Sequence, residues 1–417
     1  MIYRCSVKCD NCDSIYTCRI AIGHSSYQEH TFQCEKCDEE LTISLQLNQT
    51  EGTGEPSFKN CTKSETEGKV YNFHPEFELS ADYRHTDIIS SNIIALSHLM
   101  QNKKKNLDIL RNLNNEELSQ VRKQANGLFL VNEEWSIVSK IWKFYIRNKN
   151  DLLKDYIVKN KSKIFEYKPE ITAPEIIFSF LFRCLAPALE DHLRDIIKIV
   201  AKKYRKNPSV FTNFCKYHAN YIFKENQIKI QEIVRNFFLA FPEFSQNFLS
   251  IKKGEPITSE PAYSSVNFNK IKSFYGDAYE CLGSGIVTLA CLNNLLKGRK
   301  YDTFATMNLE KYLSLKKSSK NNCFNDIPEF NCLFTHYDAQ IRNGSHHGNI
   351  RFDPATNTVF YDPNGNGKEK SLLYFEYLNK CCYLFFSCCV IGTLDIFIYD
   401  KLRFAVMRDS AGLICKI

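Results

Sequence analysis

Polar and apolar residues alternate along three short runs near the start of the chain, Ser14 to Ile22, Gln28 to Gln33 and Glu40 to Leu47. A period of two is the signature of strands with one buried face, so residues 1–47 are predicted to form a small β-module. From Asn48 to Lys69 the pattern dissolves into Thr, Glu, Gly, Ser and Lys, including Glu51-Gly52-Thr53-Gly54-Glu55-Pro56. That composition offers little to bury and predicts a linker.

From about Asp87 to Ser250 the apolar spacing changes to three and four, as in Trp135 to Tyr145, Glu175 to Leu185 and Ile228 to Phe241, which is the period of amphipathic helices. Prolines at 169, 174, 187, 208 and 242 punctuate them, since proline starts or stops a helix but rarely sits inside one. A polar stretch from Lys252 to Ser265 marks the next boundary. Helices are expected at roughly 268–297, 308–318, 327–343 and 369–398, with a β-hairpin over Ile350 to Tyr361 before the last. The chain is therefore expected to be mostly α. It reads as a small β-module (1–47), a linker (48–69), a helical middle region (70–255) and a C-terminal helical bundle carrying a small hairpin (266–417). No internal repeat suggests a solenoid.

Composition changes this picture only modestly. At 417 residues, 44% hydrophobic and 24% charged, the chain has the balance of a folded protein and the length of two or three domains. Fifty-four Lys and Arg against 47 Asp and Glu leave a net charge of +7, a weak pull toward polyanions. Lys103-Lys104-Lys105 and Lys202-Lys203-Tyr204-Arg205-Lys206 could touch phosphate or simply be solvated helix ends. Eighteen cysteines in a long chain without an apolar leader suggest a reducing, cytoplasmic setting rather than disulfides, with the sequons at Asn48, Asn60 and Asn343 unglycosylated. The apolar run from Cys381 to Leu394, bounded by Lys380 and Asp395, spans 14 residues, short of the ~20 needed to cross a bilayer. It is expected to be a buried helix, with Cys381, Cys382, Cys388 and Cys389 packing as small apolar side chains.

Two clusters carry chemistry. Cys9-x2-Cys12 and Cys34-x2-Cys37 have the spacing of two zinc knuckles, each turn presenting two thiolates to one ion. Four cysteines close the coordination shell, so a structural zinc is expected and no catalytic one. The module resembles a zinc ribbon, which commonly binds nucleic acid or protein. The second cluster is Tyr337-Asp338-Ala339-Gln340-Ile341-Arg342-Asn343-Gly344-Ser345-His346-His347. It sets a permanent cation, an amide and titratable imidazoles at a predicted helix end. Such a grouping also suits an exposed helix C-terminus.

Arg342-Asn343-x3-His347 resembles the motif of HEPN-superfamily ribonucleases, Arg, a polar residue, then three to five residues before His; these are helical bundles with the motif near a helix end. The likeness covers residues 268 to 400. It implies RNA as substrate, cleaved without a catalytic metal by attack of the 2′-hydroxyl to leave 2′,3′-cyclic phosphate ends. His347 would be the general acid or base, Arg342 would stabilise the phosphorane charge, and Asn343 would complete the motif. His346 stands four residues from Arg342 and is the rival imidazole, Asp338 could orient the guanidinium, and Gly344 is expected to bend the helix between Arg342 and His347. The resemblance further implies a homodimer with a composite site, and a toxin or abortive-infection role in anti-phage defence. In that role the ribbon or middle region would sense a phage-derived or cellular trigger; no membrane partner is expected. The alternative is a non-catalytic zinc-ribbon adaptor for RNA or protein. Asp362 to Gly367 fails as a calcium loop because Leu373 stands where a Glu is needed. No nucleotide cofactor is assigned, since Gly283-Ser284-Gly285 lacks the rest of a dinucleotide fingerprint.

Overall fold

The structure is a computed structural model and describes residues 2–21, 27–48, 53–73, 131–165, 167–253, 268–324, 327–346, 348–353, 356, 358–363 and 365–405. Lys103-Lys104-Lys105, His347, most of the expected 252–265 boundary and the first part of the expected helical region lie outside these residues. Within them the protein is mostly α-helical, with small sheets at the N-terminus and in the C-terminal part.

The chain divides into two compact units, each drawn from three segments. Met1–Ala125, Ala240–Ser273 and Asn343–Cys382 form the first, and Asn126–Leu239, Phe274–Arg342 and Tyr383–Ile417 the second. This is not the serial arrangement of a middle region followed by a C-terminal bundle that the hydrophobic periods suggest.

The first unit begins with seven strands: β1 (Ile2–Cys9), β2 (Ile15–Ala21), β3 (Tyr27–Gln33), β4 (Glu40–Asn48), β5 (Thr53–Lys59), β6 (Cys61–Ser64) and β7 (Lys69–Phe73). They form two sheets, ordered β6-β1-β2-β7 and β3-β4-β5. The expected linker over 48–69 is thus corrected. β5 pairs with β4, β6 with β1, and β7 lies parallel to β2. These strands run along existing ones, so backbone pairing holds them while most of their side chains stay in water. The few inward residues decide the matter, for Cys61 and Phe73 are buried and Phe58 packs on the same core as Tyr16, Phe32, Leu41, Ile43 and Leu45. Asn60 makes the turn between β5 and β6 in a left-handed conformation (φ 58°). Its amide donates to Glu39 Oε1 at 2.9 Å and to Glu40 O at 2.8 Å, fixing the turn to β4.

Later in this unit the predicted hairpin is present as β8 (Ile350–Asp353) and β9 (Thr358–Tyr361), and β10 (Lys370–Leu373) adds a third antiparallel strand. Between β9 and β10 the Asp362 carboxylate accepts the N–H groups of Gly365 and Gly367 at 2.9 and 2.6 Å, so the segment is a turn.

The second unit starts with α1 (Val131–Ile146), α2 (Asn150–Lys159), α3 (Ala173–Leu185), α4 (Glu190–Lys206) and α5 (Ser209–Tyr217). A π-helical turn, His218–Ile222, leads into α6 (Phe223–Leu239). α3 shows why prolines punctuate without destroying: Thr172 and Glu175 form a reciprocal capping box and Pro174 sits in the first turn, where no N–H is missed. α7 (Phe241–Lys253) belongs to the first unit, while α8 (Phe268–Leu296) and α12 (Tyr374–Ile396) contribute to both. Between them come α9 (Leu309–Leu313), α10 (Pro328–Asn331) and α11 (Ala339–His346), the last also contributing to both units.

Phe237 of α6 stacks on Phe385 of α12 with ring centroids 3.8 Å apart. Asp395, fully buried, accepts from His218 Nε2 (2.8 Å) and Thr288 Oγ1 (2.9 Å) on one oxygen and from Asn226 Nδ2 (2.8 Å) on the other. Asp395 is therefore not the polar end of the apolar run, as its charge implies in sequence. Helical chain continues to Ala405, giving 32 residues, long and apolar enough to cross a membrane, and 94% of its apolar window is buried within the protein. Cys381, Cys382, Cys388 and Cys389 are all buried in that helix, and the thiols of Cys381 and Cys382 are pushed up chiefly by that burial.

Candidate functional site

The four N-terminal cysteines converge: their sulfur atoms all lie within 4.8 Å of one another. Cys9 Sγ is 3.7 Å from Cys37 Sγ, and Cys12 Sγ is 3.4 Å from Cys34 Sγ. A tetrahedral ion with metal–sulfur bonds of ~2.3 Å needs sulfur–sulfur edges of about 3.8 Å, so the set fits a metal such as zinc. The two knuckles repeat one geometry. Asp13 N donates to Cys9 O and Asp38 N to Cys34 O, at 3.0 and 2.8 Å, while Cys9 N donates to Ser14 O and Cys34 N to Glu39 O. Asp13 and Asp38 both adopt left-handed backbone, φ 59° and 58°, the turn that aims both thiols of an x2 pair inward. Tyr16 adds a hydroxyl 3.2 Å from Cys34 Sγ and accepts the Glu35 N–H at 2.9 Å, bracing the second knuckle.

Arg342 lies in the second unit and is half-buried. Its guanidinium donates to Glu280 Oε1 from Nε at 2.7 Å and from Nη2 at 2.6 Å. Lys317 binds the other carboxylate oxygen. Glu280 thus bridges two cations from separate parts of the chain. Burial alone would raise its carboxyl, but hydrogen bonds and charge from Lys317 and then Arg342 outweigh that and hold it below its ordinary value. Two further lysines stand nearby. Lys320 is depressed first by burial and then by the charges of Lys317 and Lys229. A cleft of about 290 Å³ opens here, lined by Lys229, Glu232, Asp277, Glu280, Ser284 and Lys317.

Small and aromatic residues set this spacing. At Gly283 a β-carbon would come within 2.4 Å of Tyr337 Oη and 3.0 Å of Lys317 Cδ, so only glycine lets both approach α8. Tyr337 stacks on Tyr279 with centroids 3.7 Å apart and planes parallel within 1°. Tyr275 Oη donates to His336 O at 3.0 Å and accepts the Asp338 N–H at 3.2 Å, fixing where α11 begins. The Asp338 carboxylate accepts from Gln340 N at 2.8 Å, an N-cap contact. Glu280 holds the guanidinium for which Asp338 was one candidate partner.

The helix is not broken at Gly344. α11 runs unbroken to His346, Gly344 is buried, and its missing β-carbon makes room for Tyr361, whose Cβ would stand 3.0 Å away. The chain turns later, at Gly348 (φ 74°). Asn343 is half-buried, the His346 side chain is not among the described residues, and neither is His347. His346 is the last residue of α11, four positions after Arg342 in the chain. Glu280 and Lys317, absent from the sequence reading, are the acid and base the structure adds. A signal for Glu280 existed: with Asp277 it is one of two acids in the largely apolar 29-residue α8, and an acid there needs a cation. Lys317 had none.

No family model matches this chain, and neither a curated protein nor a solved structure matches it.

Proposed function

We propose that this protein is an endoribonuclease whose cutting group is the Arg342–His347 motif and whose N-terminal cysteines hold a structural zinc. One observation supports it above the others: beside a cleft lined by Lys229 and Lys317 together with the acids Glu232, Asp277 and Glu280, Arg342 and Lys317 converge on Glu280 and set a guanidinium next to an ammonium group. Such a grouping suits a phosphodiester and the extra charge it gains at the transition state. His347, by resemblance to the HEPN motif, takes the proton from a 2′-hydroxyl. That oxygen attacks phosphorus, the P–O5′ bond breaks, and the leaving 5′-oxygen is protonated. His346 is the alternative imidazole. Products carry 2′,3′-cyclic phosphate and 5′-hydroxyl ends. The same resemblance supports a homodimer and a defence role in which cleavage of cellular RNA limits phage growth.

The adaptor reading draws on the same ion pair, since an arginine bound to a carboxylate can be purely structural. Incubating the wild type, Arg342→Ala, His346→Ala and His347→Ala with total RNA separates them. Cleavage with cyclic-phosphate ends is expected in the wild type and a loss of at least 100-fold in Arg342→Ala and His347→Ala. Cleavage persisting in both, or ends bearing a 3′-hydroxyl, overturns the ribonuclease assignment.

A further inference from the structure

A second cleft in the same unit, of about 490 Å³, lies between the end of α5 with its π-helical turn and the loop that follows α8. Its volume falls within the ~300–1,000 Å³ of small-ligand sites. Three tyrosines line it. Tyr217 sits 5.2 Å from both Tyr221 and Tyr301, ring centroid to centroid, and the planes are tilted by 34° and 33°. Tyr221 is 69% exposed, so one end of this aromatic row is open to solvent. Lys216, Arg299 and Lys300 border the row, with Asp302 as the acid among them. Lys203, from the basic run at the end of α4, brings its Nζ to 4.0 Å from where a β-carbon of Gly298 would be.

Both walls are braced from beneath. Asn294, fully buried, donates to Tyr301 O at 2.9 Å and accepts from Arg299 Nε and Nη2 at 3.3 and 3.1 Å, holding the loop in place. His218, the first residue of the π-helical turn, is tied to Asp395 in the core, which fixes the turn that carries Tyr221. π-helical turns inside helices recur at functional sites. An exposed aromatic row edged by cations is how proteins hold unpaired nucleotides, since every base has a face to stack and every nucleotide a phosphate.

We propose that this cleft binds a segment of single-stranded RNA, one base stacking on Tyr221 and the neighbouring phosphates meeting Lys216, Arg299 and Lys300. It deepens the ribonuclease reading by adding a substrate-gripping surface, yet does not depend on Arg342.

Fluorescence anisotropy of the full-length protein with a labelled 2′-O-methyl decamer tests it, because that strand cannot be cut by 2′-oxygen attack and binding is read whether or not the protein is a nuclease. Tyr221→Ala should weaken binding about 10-fold, and Tyr221→Trp, which keeps a stacking face, should bind as the wild type does. Lys216→Ala combined with Lys300→Ala should lower the dependence of log affinity on log salt by roughly 1.4, the counterions of two single-strand phosphates. Thermal melts establish that each variant is folded. Unchanged affinity in Tyr221→Ala overturns the proposal, as does equal affinity for a duplex of the same sequence. Displacement of the decamer by AMP at equal molar concentration would make the cleft a mononucleotide pocket and overturns it too.

Discussion

Glu280 is a single carboxylate shared by Arg342 and Lys317, and its acid–base behaviour gives a test at that scale. Its folded pKa lies below the ordinary value, so its stabilising effect is fully present above the unfolded carboxyl pKa of ~4.3 and is lost as pH falls through the lower folded value. The difference in thermal midpoint between wild type and Glu280→Gln should be present at pH 7 and close as the pH drops below about 4, read by calorimetry across a pH series. A difference that survives at low pH would mean that Glu280 acts through packing alone. The cysteines and Glu280 also mark what was readable in advance. Two thiols separated by two residues meet through a local turn, so spacing suffices to find the metal ligands. Glu280 reaches Arg342 across 62 residues of chain, and only tertiary packing, set by Gly283 and the Tyr279–Tyr337 stack, brings them together.

Among elements, the N-terminal strands teach the most. Their alternation identified β2, β3 and β4, but β5, β6 and β7 were concealed by composition, because polar residues on solvated strand faces look like a linker when read one residue at a time. β7 completes the four-stranded sheet from 53 residues away in sequence, through parallel pairing with β2. The metal and these strands then stabilise one object. Structural zinc sites are worth about 10–16 kcal/mol of binding energy near neutral pH, more than a module of this size gains from its core alone. Chelation, or Cys12→Ser with Cys34→Ser, should therefore melt residues 2–73 while the helical signal persists. Circular dichroism with limited proteolysis checks this, and protection of the first 73 residues in the metal-free protein would contradict it.

For the whole molecule, the segments of the two units alternate along the chain, and hydrophobic periodicity has no means of showing that. It reports which face of a helix is buried, not against which other helix. Asp395 shows the physical reason: its three donors come from the π-helical turn, α6 and α8, so the middle and C-terminal regions share one core within the second unit. Asp395→Ala should cost roughly 3–5 kcal/mol, since it leaves buried donors unpaired, and Asp395→Asn should cost less. Urea unfolding measures both, and a loss below about 1 kcal/mol would show that water replaces the carboxylate. The same carboxylate governs the order of events on the ribosome. His218 and Asn226 find their acceptor 177 and 169 residues further along the chain, whereas all the strands of the cysteine module among the described residues lie before residue 74. The module can fold while synthesis continues, but the core around Asp395 closes only after nearly all of the protein has been made, so a chain interrupted midway carries a finished ribbon and an unassembled second unit.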